Sequence, residues 1–146
     1  MIAADPVEIL NRLVVIHHRS LPMYLRYASP TWHRGDERAR EVLEGIARDQ
    51  EQIVDRLGEM IMERDGAVLM GGFSMVYTDY HDLGFDFLLR RLIQHQETNV
   101  GEIERCAAML ESEPLAQALA LEAAGAAKAH LELLLELRRA AAGAPS

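Results

Sequence analysis

Four long stretches of this chain carry an apolar stripe at helical spacing, and each stripe is interrupted near its middle by one polar residue. In the first, Val7 to Ala28, the stripe is Leu10, Leu13/Val14, Leu21, Tyr24/Leu25 and Ala28, and His17 sits inside it. In the second it runs from Ala39 through Val42/Leu43, Ile46/Ala47, Ile53/Val54 and Leu57 to Met60/Ile61, around Gln50. The third, from Phe85 to Leu110, is centred on Gln96, and the fourth, from Ala116 to Leu137, on His130. Mid-helix positions of an up-down bundle meet at one depth. The pattern therefore predicts an all-α fold, an antiparallel four-helix bundle around a shared polar layer of His17, Gln50, Gln96 and His130.

The helix limits come from capping and breaking residues. Asp5-Pro6 starts the first helix, which is expected to run from about 5 to 29 with a kink at Pro22. Thr31 to Gly35 is a short loop, with Trp32 read as a lid over the bundle end rather than a stacking residue. Asp36 opens a second helix, about 36–64, whose outer side is densely charged, and Asp65-Gly66 stops it. Gly66 to Asp82 shows no helical period. A link of that length in a compact domain reads as a crossover, joining the second helix to the third, and is expected to lie along the outside of the bundle. Tyr77, Tyr80 and His81 on it are alternatively pocket-lining residues. The third and fourth helices are expected at about 83–111 and 115–141, separated by Glu113-Pro114. Gly125 weakens the fourth and is read as making room for another helix.

The 146 residues suit one domain with its own core, residues 1–146. A net charge of −8 argues against nucleic acid as a partner. No apolar run approaches the roughly 20 residues of a membrane span, so no membrane is expected. The N-terminus lacks the basic-then-apolar pattern of a signal peptide, and the single cysteine, Cys106, excludes an internal disulfide. A cytoplasmic location is the expectation. Cys106 reads as a small buried apolar residue. There is no glycine-rich phosphate loop, no Cys-x-x-Cys and no Glu-x-x-His.

A buried amide or imidazole without a partner costs about 1–3 kcal/mol, so the four layer residues are expected to bond to each other or to trapped water. Two explanations stand. One is a hydrogen-bonded network that sets helix register. The other is a site for a metal ion or a small ligand, with His17 and His130 as ligands.

The layout resembles the ferritin-like superfamily, especially its bacterioferritin and rubrerythrin branch, over nearly the whole chain. In that family the first helix places a glutamate ligand seven residues before a tyrosine; here His17 stands at that distance before Tyr24. The second helix carries Glu-x-x-His closely followed by Asp-Arg; Asp55-Arg56 matches the latter and puts Gln50 and Ile53 on the ligand positions. On the third helix the core-facing candidate is Gln96, with Glu97 one position off the face. On the fourth, Ala127 and His130 take the positions of Glu-x-x-His. Only His130 is kept in kind, and every carboxylate is lost from the core face. A di-iron centre needs bridging carboxylates, so none is expected. A single iron or zinc ion remains an alternative, because imidazole suits both. Glu51 and Glu97 would join it only if the helices were rotated by one residue.

The resemblance implies a homodimer paired through the outer faces of the first two helices. The leading expectation is a ferritin-like bundle with a degenerate di-iron site, acting by binding or assembly and not by catalysis. The alternative is a metal-binding redox or hydrolytic protein built on His17 and His130. A third, a DinB-like metal bundle, lacks the usual His-x-x-x-His on the last helix.

Overall fold

The computed structural model describes residues 5–28, 37–71 and 85–143, which form five helices and no strand. They are α1 (Pro6–His18), α2 (Leu21–Ala28), α3 (Glu37–Glu63), α4 (Phe85–Met109) and α5 (Pro114–Gly143). Trp32, the proposed cap at Asp36, and Tyr77, Tyr80 and His81 lie outside the described residues.

The first expected helix is two helices. The break falls at Arg19-Ser20, earlier than the kink expected at Pro22. A proline removes its own amide donor and its ring crowds the carbonyl four residues back. For Pro22 that carbonyl belongs to His18, the last residue of α1. Ser20 then restarts the helix: its Oγ accepts from the Met23 amide at 3.3 Å. At the other end of α1, Asp5 Oδ1 accepts from the Val7 amide at 3.0 Å and Pro6 takes the first helical position.

The apolar stripes are buried as two clusters on either side of the polar layer. One holds Leu10, Leu13 and Val14 of α1 with Leu57 and Ile61 of α3, Ile103 of α4, Leu110 just after it, and the alanines of α5 from Ala116 to Ala127. The other holds Leu21 and Leu25 of α2 with Leu43 and Ile46 of α3, Leu88 and Leu92 of α4, and Leu134 and Leu137 of α5. Truncating any of the fully buried leucines to alanine removes about 2–5 kcal/mol of stability.

The end of α3 is closed by a Schellman arrangement. The Gly66 amide donates to the Ile61 carbonyl at 2.9 Å and the Asp65 amide to the Met62 carbonyl at 3.0 Å. Asp65 takes the left-handed conformation (φ 59°) that glycine usually supplies. Gly66 is needed for space instead, because a Cβ there would lie 2.8 Å from Val7 Cγ1 and 2.9 Å from Ile61 Cγ2. The chain from 66 to 71 then follows α1. Asn11, buried in that helix, clamps it, donating from Nδ2 to the Ala67 carbonyl (2.9 Å) and accepting at Oδ1 from the Leu69 amide (2.8 Å).

Gly125 does not admit a neighbouring helix. It is exposed on α5, and a Cβ there would meet nothing within 4 Å. The residue lies off the stripe, between Ala123 and Ala127. Gly125→Ala should therefore raise stability by about 0.5–1 kcal/mol, read as a higher urea midpoint at unchanged slope, whereas Gly66→Ala should lower it.

Candidate functional site: the polar core layer

His17, Gln50, Gln96 and His130 are all buried, at 2–5% exposure, and line one cavity of about 10 Å³ between the two apolar clusters. That space holds about one water molecule. Asn99 of α4 and the small side chains of Ala123, Ala126 and Ala127 complete its wall.

Every layer residue has an oxygen partner, but in none of these bonds is the partner another of the four, contrary to the expectation from the sequence: backbone carbonyls and neighbouring side chains satisfy them instead. His17 Nδ1 lies 2.7 Å from the Leu13 carbonyl. A carbonyl only accepts, so Nδ1 carries the proton and Nε2 keeps its lone pair. Gln50 Oε1 accepts from Ser20 Oγ at 2.6 Å. Gln96 Nε2 donates to the Ala127 carbonyl at 2.9 Å, crossing from α4 to α5. His130 Nε2 donates to Asp49 Oδ2 at 2.8 Å, crossing from α5 to α3, and the Asp49 side chain is 56% exposed. Both imidazoles are therefore oriented by an oxygen outside the cavity.

Burial holds the His17 pKa below the ordinary 6.5 of a histidine. The hydrogen bond to Leu13 opposes this, and the proximity of His130 adds to the depression. Burial likewise raises the Cys106 thiol, which is inert in the core.

The helices are not rotated toward their glutamates. Glu51 is exposed and bound to Arg26, and Glu97 is exposed on α4. Ile53 and Ala127 are buried and carry no metal-binding group. Among the described residues no three histidine, cysteine, aspartate or glutamate side chains converge as metal ligands.

Three partners escaped the sequence reading. Ser20 was hidden inside what reads as one continuous helix, although Ser-Leu-Pro is itself a helix-start signal. Asp49 adjoins Gln50 but sits at the edge of the stripe. Asn11 faces the link after α3 rather than another helix.

Comparison with protein-family models, with curated proteins and with solved structures finds no match.

The neutral state of His17 makes stability depend on pH. Its folded pKa is depressed, so the unfolded chain binds the proton more readily. The contribution is whole above about pH 6.5 and is lost as pH falls below it. Urea titrations should show stability dropping by on the order of 1 kcal/mol per pH unit below that point, and His17→Leu should flatten this slope. An unchanged slope in the variant would contradict the assignment.

Proposed function

We propose that this chain is a ferritin-like, antiparallel four-helix bundle without a di-iron site, working by binding or assembly rather than by catalysis in its core. Support for the architecture comes from the two apolar clusters. Early α1, late α3, late α4 and early α5 share one; α2, early α3, early α4 and late α5 share the other. Helices α3 and α4 then run the same way, as a ferritin-type connection with a long crossover between the second and third helices requires. The expected homodimer belongs to the same reading.

The observation that carries the functional reading is the layer itself. Its four polar side chains are each engaged by backbone or by a neighbour, around a space of about 10 Å³. A di-iron centre does not fit this donor set. Two amides and two imidazoles supply no bridging carboxylate, and Asp49 is turned to the far nitrogen of His130. Such a layer instead fixes helix register.

One observation favours the second reading, a single iron or zinc ion. Each histidine has one nitrogen held by a carbonyl or carboxylate, as metal-bound histidines usually do. Two imidazoles are fewer than the three or four protein ligands typical of zinc sites.

Metal content by mass spectrometry, before and after incubation with Fe(II) and Zn(II), separates the two. The register reading expects no stoichiometric metal. It also expects His17→Leu/His130→Leu to fold with an equal or higher thermal midpoint, because the partners left behind are the solvent-exposed Asp49 carboxylate and a helical carbonyl, and neither is stranded as a buried unpaired group. About one ion per chain, lost in the double variant, would overturn it.

A further inference from the structure

A second cavity lies away from the core layer. It is an open groove of about 500 Å³ on the outer side of α2 and α3, within the roughly 300–1,000 Å³ usual for small-ligand sites. Met23 and Val54, both nearly buried, form its floor, and the thioether of the half-exposed Met70 closes one side. Methionine adapts its shape to varied hydrocarbon ligands. The rim is polar and carries Arg26, Glu51 and Asp55.

The rim charges are unequally committed. Arg26 is held between Glu44 (3.1 Å) and Glu51 on α3. His18, also on the rim, is depressed below its ordinary pKa by partial burial and by Arg19, so it is mainly neutral at pH 7. Arg19 directs its Nε to the Met70 carbonyl at 2.7 Å. Asp55 makes no ion pair or hydrogen bond with any described residue, and it stands one helical turn after Glu51 on the same side of α3.

We propose that this groove binds a small organic ammonium ion, its charge beside Asp55 and Glu51 and its hydrocarbon chain over Met23, Val54 and Met70. A second copy of the chain is disfavoured here. A two-fold contact would set the same acidic rim against itself, in a protein of net charge −8. Any homodimer would then form through another face, so the pairing implied by the ferritin-like resemblance, through the outer faces of the first two helices, is not kept at this groove. The inference rests on the reading above to the extent that the working surface is outside the core.

Calorimetric titration of the full chain with n-hexylammonium tests it, alongside n-hexanol and hexanoate as neutral and anionic chains of the same length. Saturable 1:1 binding of the ammonium is expected, at least tenfold weaker for the other two. Asp55→Asn, a substitution at an exposed position, should weaken it at least threefold. His17→Leu/His130→Leu should leave it unchanged. No saturation up to about 20 mM, equal binding of hexanol, or an unaffected Asp55→Asn variant would overturn the proposal. So would a dimer in sedimentation equilibrium that Met70→Lys dissociates, since the groove would then hold a second copy. None of these outcomes touches the core reading, which the metal content of the protein and of the double histidine variant tests separately.

Discussion

The helix register rests on two adjacent residues of α3 that bond to two different helices. Gln50 receives the hydroxyl of Ser20, and Asp49 receives the imidazole of His130. The first contact ties α3 to the start of α2, and the second ties it to α5. Gln96 adds the link from α4 to α5 through the Ala127 carbonyl. Each contact is worth about 1 kcal/mol in net stability, but leaving a buried member unpaired costs more. Sliding any one helix by a turn would strand these groups among leucines. A hydrocarbon core alone tolerates such slippage much better, so the polar layer selects one register from several that would bury similar area.

The same layer divides the apolar core in two, and the connection after α3 answers to that division. The Schellman end at Asp65-Gly66 turns the chain back, and Asn11 fastens it along α1 by both sides of its amide. Ion pairs on the surface reinforce the joins between helices. Arg56 grips Glu122 of α5 with both terminal nitrogens, and Arg64 reaches Glu113 at the turn between α4 and α5. These exposed or half-exposed pairs contribute little individually.

Much of this was legible in the residues because a helix repeats every 3.6 positions. That period alone puts His17, Gln50, Gln96 and His130 among apolar neighbours, and all four are buried. The period says nothing about which partner satisfies them. Ser20 and Asp49 were missed because each bonds from the margin of a stripe, where polar residues usually face solvent. The break at Arg19-Ser20 was placed too late because proline disrupts the turn before it. Residue type alone suggests a packing role for Gly125, but its position off the stripe marks it as exposed. The outer groove was invisible in the sequence, since Met23, Val54 and Met70 come together only in three dimensions.

The central claim is that the core layer is a satisfied set of hydrogen bonds in which His17 is neutral. Nitrogen-15 NMR of the histidine rings at pH 7 tests it most directly, since the two ring nitrogens report their own protonation. The account predicts that His17 is neutral and protonated only at Nδ1, the nitrogen facing the Leu13 carbonyl. A doubly protonated His17 ring, or one protonated at Nε2, would contradict it.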